Sequence, residues 1–161
     1  MKKLDYECEL AVVLGRDARD VPAGQTRDYI FGYTILNDVS ARDVQTAHKQ
    51  WYFGKSLDGF TPIGPCIVTA DAFADYPPRL GIRSFVNGEK RQDSNTALQI
   101  FDIDHVIAEL SQGMTLKAGT IIATGTPAGV GMGMDPPQFL KPGDVVRCEI
   151  DGIGTLTNPV E

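Results

Sequence analysis

The sequence has few of the residues that build thiolate or imidazole metal sites and disulfide frameworks. Its 161 residues include 3 cysteines and 2 histidines. Cys8, Cys66 and Cys148 are odd in number and too irregularly spaced to form a paired zinc motif. No signal peptide and no long apolar run is visible. These absences predict a reducing, cytoplasmic setting and no membrane partner.

The sequence also has fewer basic residues than acidic residues. Lysine and arginine number 15 against 21 acidic residues, which gives a net charge of −6 and a pI near 4.9. This balance argues against nucleic acid or an anionic membrane as a partner. An anionic substrate would need a local positive site. The length and ordinary composition predict a single domain over residues 1–161.

Short apolar segments separated by Gly, Pro and Asn turns predict a mostly β fold with two short helices, an α+β class. We expect strands at residues 6–14, 30–36, 66–70, 82–86, 119–124, 144–150 and 153–157. Asn87-Gly88 and Asp151-Gly152 predict hairpin turns of the same type, with a short strand at 89–92 after the first. One helix should begin at Ser40 as its N-cap and end near residue 48, and a second should run from Asp104 to Gln112.

Three carboxylates stand at the ends of apolar segments. Glu7 and Glu9 share one face of a predicted strand because side chains alternate across it, and Asp38 ends the next strand. Two like charges on an apolar face are costly unless something positive neutralises them. Carboxylates with no His or Cys pair nearby favour Mg²⁺ or Mn²⁺ over Zn²⁺. The alternative is an edge strand whose outer face is solvated.

Polar residues with donor groups follow Asp38 along the chain. Arg42 and Gln45 are three apart and therefore neighbours on one helical face, where Arg42 would bind a carboxylate and Gln45 would orient a carbonyl or hydroxyl. The alternative is an ordinary surface helix. Lys55 follows three aromatic residues, and partial desolvation would lower its pKa and suit it to polarise an enolate oxygen. The alternative is a lysine that only covers aromatic surface.

The glycine-rich segment 125–133 follows the strand at 119–124. Its backbone NH groups could surround an anionic oxygen, with Thr126 adding a hydroxyl. A nucleotide site is excluded because the segment lacks GK[ST], and the prolines after Met134 prevent the helix that a dinucleotide turn requires. A small-anion loop and a plain turn both remain. His48, three residues beyond Gln45, could approach the same site.

Taken together, these segments resemble the fumarylacetoacetate hydrolase family in its bacterial form. The resemblance covers nearly the whole chain and rests on DYECELAVVLG, GYTILNDVSARDVQ, FGKSLDGFTPIGPCIVTAD, VNGEKRQDSNT, IIATGTPAGVG and LKPGDVVRCEIDGIGTLTNPV. It implies a mixed β-roll, a homodimer, and Mg²⁺ or Mn²⁺ held by Glu7, Glu9 and Asp38. It also implies substrate contacts from Arg42, Gln45, Lys55, Gly125 and Thr126, with Lys55 catalytic.

The resemblance implies chemistry on small 2-oxo or β-diketo acids through an enolate. The expected reactions are C–C hydrolysis of acylpyruvates or decarboxylation of oxaloacetate-type acids. The alternative reaction is isomerisation of a hydroxymuconate or hydroxyhepta-diene-dioate. Members of the family carry an upstream His–Glu pair that activates water, and this sequence starts at the Glu-x-Glu strand. We therefore expect hydrolysis to be weak or lacking, whereas decarboxylation or tautomerisation, which depend more on the metal, could survive. From another class, a non-catalytic metal- or ligand-binding module also fits.

Overall fold

The described part of the chain folds into two four-stranded sheets, a short two-stranded ribbon and two α-helices, with short 3-10 helices between them. The structure is a computed structural model and describes residues 2–47 and 49–161. The strands are β1 (Leu4–Asp5), β2 (Cys8–Leu14), β3 (Ile30–Asn37), β4 (Ser40–Ala41), β5 (Ile63–Thr69), β6 (Gly81–Val86), β7 (Glu89–Asn95), β8 (Ile121–Ala123), β9 (Val145–Ile150) and β10 (Gly154–Pro159). The helices are α1 (Arg42–Ala47) and α2 (Ile103–Leu110). This confirms the predicted α+β class.

The first sheet has the order β5-β3-β2-β8, with every pair antiparallel. β2 is therefore an interior strand, and all of its residues are buried. Its even-numbered side chains, Cys8, Leu10, Val12 and Leu14, enter the hydrophobic core. Strand alternation then places Glu9 on the opposite face, where it is 3% exposed. The solvated edge strand is excluded as an explanation of Glu-x-Glu.

The second sheet, in the order β10-β9-β6-β7, covers the core side of the first. Asn87 and Gly88 both have positive φ, as the predicted two-residue turn between β6 and β7 requires. The predicted turn at Asp151-Gly152 is different, because Gly154 pairs with Ile150 and leaves a three-residue loop. β7 also continues to Asn95, three residues beyond the predicted end.

Several of the predicted element boundaries differ in the structure. Ser40 does not cap α1: it lies in β4, which pairs with β1, and α1 begins at Arg42. Helix α2 begins at Ile103 because the Asp102 side chain accepts a hydrogen bond from the His105 amide at 2.8 Å. β5 begins at Ile63, three residues before the predicted start.

None of the helices within residues 2–47 and 49–161 is long and apolar enough to cross a membrane.

Candidate metal and substrate site

Three carboxylates meet at one end of the first sheet: Glu9 lies in β2, Glu7 directly precedes it, and Asp38 directly follows β3. Each of Glu7, Glu9 and Asp38 offers an oxygen, and these oxygens all lie within 4.8 Å of one another. The backbone brings Asp38 to Glu7, since the Asp38 amide donates to the Glu7 carbonyl at 2.8 Å. The Asn37 side chain accepts a hydrogen bond from the Glu7 amide at 3.0 Å and fixes this corner further.

Glu9 is the most deeply buried of the three. Its Oε2 accepts a hydrogen bond from the Gly125 amide at 2.8 Å. Burial raises its pKa to about 7, and the negative charges of Asp38 and Glu7 act in the same direction, against the opposing Gly125 hydrogen bond. A carboxylate held in this way binds a proton or a cation readily.

Lys55 lies at the end of a short 3-10 helix, Tyr52–Lys55, and enters the same cluster. Its ammonium donates to Glu7 Oε2 and to Ser40 Oγ, each at 2.9 Å, and also to Asp38 Oδ2. Burial lowers its pKa, but the hydrogen bonds and charges of Asp38 and Glu7 outweigh burial and raise the pKa above its ordinary value. The prediction of a lowered pKa is therefore wrong.

The reason for that error is the position of the aromatic residues. Trp51, Tyr52 and Phe53 are all more than half exposed, so they do not enclose the amine. The helix instead packs through Gly54, where a Cβ would come within 2.6 Å of the Gln45 amide nitrogen. This close approach sets the direction of Lys55 toward the carboxylates, and the lysine is a cation at neutral pH.

Arg42 is buried and joins the cluster from the first turn of α1. Its Nη1 lies 2.7 Å from Glu7 Oε1 and donates to Gln45 Oε1 at 3.1 Å, so the predicted Arg42–Gln45 neighbourhood is present. Its Nε donates to Asp5 at 2.9 Å. Its Nη2 is buried and has no hydrogen-bond partner among the described residues. A buried guanidinium donor without a partner is costly, and an anionic ligand would satisfy it.

The glycine-rich segment surrounds the protein's own carboxylates. Gly125 donates its amide to Glu9, while Gly131 and Met132 donate theirs to Asp5 at 2.7 and 2.9 Å. Of the two interpretations of this segment, a small-anion loop and a plain turn, neither describes it fully. The loop supports the acidic side chains that line the site.

Thr126 also has internal partners. Its hydroxyl donates to the Cys8 carbonyl at 2.9 Å and accepts from the side-chain amide of Gln92 at 2.7 Å. The single hydroxyl proton is therefore used within the protein in this arrangement. Contact between Thr126 and a substrate stays a prediction, and in this arrangement it would involve a group other than the donating hydroxyl.

Asp5, Ser40 and Gln92 also contact the site residues and were not predicted from the sequence. Asp5 had a usable signal, because it continues the every-second-residue pattern of Glu7 and Glu9. Ser40 was interpreted as a helix cap, and Gln92 has no local signal because its partners are distant along the chain. His48 lies outside the described residues.

Residues 1–161 match the family model described as fumarylacetoacetate (FAA) hydrolase C-terminal. The chain belongs to this family. The prediction from the quoted motifs is confirmed.

Among its relatives, the oxaloacetate tautomerase YisK of Bacillus subtilis is 50% identical over 158 residues, which cover 98% of this chain and 52% of that protein. A fumarylacetoacetate hydrolase structure from Exiguobacterium antarcticum is 51% identical with a TM-score of 0.96, and covers 100% of this chain and 57% of that one. A 2-hydroxyhepta-2,4-diene-1,7-dioate isomerase structure from Mycobacterium marinum is 46% identical with a TM-score of 0.88, covering 98% and 58%. The chain thus spans about half the length of the curated relatives it matches.

The donor set fits a hard divalent cation. Mg²⁺ binds oxygens at about 2.1 Å, so ligands on opposite sides of the ion lie about 4.2 Å apart. The carboxylate oxygens of Glu7, Glu9 and Asp38 lie within 4.8 Å of one another, which is close to that distance. When Asp5, Glu7, Glu9 and Asp38 are all ionised, the two cations Arg42 and Lys55 leave a net charge of −2 in the cluster. That charge matches a divalent ion.

Proposed function

We propose that the chain is a Mg²⁺- or Mn²⁺-dependent enzyme that interconverts the keto and enol forms of 2-oxo acids, with oxaloacetate-type dicarboxylates as its substrate class. The observation that carries this proposal is the meeting of three carboxylates with the unpartnered Nη2 donor of Arg42 and the half-buried ammonium of Lys55. Relatives named as an oxaloacetate tautomerase and as a diene-dioate isomerase support a proton-transfer reaction.

Glu7, Glu9 and Asp38 would hold the ion. A divalent ion bound there supplies positive charge for the 2-oxo oxygen of the substrate, which makes the enolate less costly. In the reaction the enol O–H bond breaks and a C–H bond forms at C3, so that the C2=C3 double bond becomes a C2=O double bond. The same steps in reverse give the enol from the keto acid.

The chain's own cations would bind and orient the substrate. Arg42 Nη2 is free to donate to a substrate carboxylate, while Nη1 stays on Glu7. Lys55 remains an ammonium because Asp38 and Glu7 raise its pKa. We therefore assign Lys55 the electrostatic stabilisation of a developing enolate oxygen, and no role as a neutral base. Gln45 keeps the Arg42 guanidinium in place.

The test is turnover of oxaloacetate followed by the ultraviolet absorbance of its enol. We expect keto–enol exchange to be accelerated with Mg²⁺ or Mn²⁺ and to return to the uncatalysed rate with EDTA. Glu9→Ala should lose the acceleration, about 100-fold or more, because an ion-binding group is removed. Glu109→Ala, which changes an exposed glutamate on α2, should keep the metal-dependent acceleration. Acceleration that survives both EDTA and Glu9→Ala would contradict the proposal.

Three further reactions and one non-catalytic role remain testable with the same protein. The mycobacterial relative favours isomerisation of a hydroxyhepta-diene-dioate as a second candidate. Acylpyruvate hydrolysis and oxaloacetate decarboxylation would use the same enolate and are measured by acetate and CO₂ release. Metal binding without turnover of any of these substrates would favour the metal- or ligand-binding module.

We also propose that the enzyme works in the cytoplasm. Cys8, Cys66 and Cys148 are all free thiols in the structure, as a reducing compartment would keep them.

A further inference from the structure

Asp5 is a completely buried carboxylate at the centre of the network behind the site. Its exposure is 0%. Oδ1 accepts hydrogen bonds from the amides of Tyr6 and Gly131, at 2.9 and 2.7 Å. Oδ2 accepts from the Met132 amide and from Arg42 Nε, each at 2.9 Å. Each oxygen thus has two donors, which fills its acceptor positions and leaves Asp5 no capacity to bind a metal ion.

The Asp5 contact determines which donors Arg42 has left. Because Nε is bound to Asp5, Nη1 faces Glu7 and Gln45, and Nη2 stays without a partner among the described residues. Both side chains of the Asp5–Arg42 pair are at most 5% exposed, so the pair is desolvated and strongly directional.

Asp5 also anchors the far end of the glycine-rich segment. At Gly131 a Cβ would lie 2.0 Å from the Gln138 carbonyl oxygen and 2.8 Å from Asp5 Oδ1, so only glycine permits this approach. The near end of the segment, Gly125, holds Glu9. One carboxylate therefore connects the arginine of the site with the loop that supports a carboxylate of the acidic cluster.

We propose that Asp5 is a positioning residue: it fixes the Arg42 guanidinium so that Nη1 holds Glu7 and Nη2 is reserved for a carboxylate of the substrate. This inference rests on the proposed function, because it needs an anionic ligand at Arg42. A purely structural ion pair is the competing explanation, and it predicts effects on stability alone.

The experiment is a double-mutant cycle on oxalate binding, measured by calorimetry with saturating Mn²⁺. Oxalate is a non-reacting dianion that resembles the enolate of a 2-oxo acid. Asp5→Asn keeps the shape and removes the charge beside Arg42, and should weaken oxalate binding about tenfold. Arg42→Met should weaken it at least as much. When Arg42→Met is already present, Asp5→Asn should weaken oxalate binding by less than about a further twofold, because the guanidinium that Asp5 positions has been removed.

Asp104→Asn is the matched control. The Asp104 carboxylate also accepts an amide and a hydroxyl hydrogen bond, from Gly24 at 2.7 Å and Thr26 at 2.5 Å, but touches none of the site residues. Its variant should lower the unfolding temperature and leave oxalate affinity unchanged. If Asp5→Asn behaves in the same way, or if its effect adds in full to that of Arg42→Met, Asp5 is only structural and the inference is overturned.

The experiment distinguishes a failure of this inference from a failure of the proposed function, and it still applies if Asp5→Asn does not fold. If Asp5→Asn alone does not fold, Arg42→Met is compared with the double variant, which leaves no uncompensated charge of the pair. Equal oxalate affinity of these two supports the inference, and a further loss overturns it. A wild-type protein that binds neither Mn²⁺ nor oxalate would reject the proposed function, and with it this inference. Normal wild-type binding with no effect of Asp5→Asn rejects the inference alone.

Discussion

At the scale of single residues, the site combines acids that repel one another with the cations that hold them together. Among the described residues, both Arg42 and Lys55 form ion pairs with Glu7, whereas the Glu9 carboxylate accepts a hydrogen bond only from the Gly125 amide. This difference explains why burial raises the pKa of Glu9 to about 7. In the metal-free protein Glu9 therefore takes up its proton at a higher pH than an ordinary glutamate.

The raised pKa predicts how stability depends on pH without metal. Between its ordinary value of 4.5 and about 7 the folded state holds the Glu9 proton more tightly than the unfolded chain. The contribution of Glu9 to the free energy of unfolding is therefore complete below pH 4.5 and is lost as the pH rises through 7. Its full size is about 3 kcal/mol.

Glu9→Gln, which stays neutral, measures this contribution. In EDTA, urea denaturation at about pH 5 and about pH 8 should show the variant gaining stability relative to the wild type at the higher pH. A difference between the two proteins that does not change with pH would show that Glu9 titrates normally.

At the scale of elements, the short 3-10 helix Tyr52–Lys55 is placed by its glycine. Gly54 lies against the backbone of Gln45, with a Cβ position only 2.6 Å from the Gln45 nitrogen and 2.7 Å from its Cα. The atoms in the way belong to the backbone, so they cannot move aside as a flexible side chain would. Helix α1 and the lysine of the site therefore keep a fixed separation.

Gly54→Ala should separate these two elements. We expect a loss of about 1–3 kcal/mol in the free energy of unfolding, as for other overpacked sites. Weaker metal binding should follow because Lys55 leaves the carboxylates. Gly133→Ala is the control, since its added Cβ would meet only Val130 at an ordinary 3.8 Å. Equal stability of the two variants, measured by chemical denaturation, would show that the contact is not tight.

The sequence predicted elements well where the pattern was periodic and local. The Glu-x-Glu alternation brought Glu7 and Glu9 together at the start of β2, and the positive φ of Asn87 and Gly88 confirmed their turn. Prediction from the sequence failed where the pairing or hydrogen-bond partners of a residue are distant along the chain. Ser40 has the residue type of a helix cap, but pairing of β4 with β1 uses its backbone and Lys55 uses its side chain. Such contacts have no signal within a short sequence window.

At the scale of the whole molecule, apolar side chains remain exposed on the sheet that carries the site. Phe31 on β3 is 50% exposed, and Ile63 and Ile67 on the edge strand β5 are 43% and 47% exposed. Apolar surface on an edge strand favours association with another chain. We propose that this surface supports the homodimer expected from the family resemblance.

The test of the dimer is molar mass in solution, from size-exclusion chromatography with light scattering. The expected mass is twice the 17.5 kDa of the chain. Ile67→Lys should shift the population toward the monomer, and Lys141→Ala, on an exposed residue, should not. A monomeric mass at all concentrations would show that these side chains are not an interface.

The most direct test of the central claim is a titration of the metal-free protein with Mn²⁺, followed by electron paramagnetic resonance of the free ion. We expect saturation at one ion per chain, competition by Mg²⁺, and at least a hundredfold weaker binding in Glu9→Ala, because one of three protein ligands is removed. Mn²⁺ binding that is absent from the wild type, or unchanged in Glu9→Ala, would show that Glu7, Glu9 and Asp38 do not form a metal site.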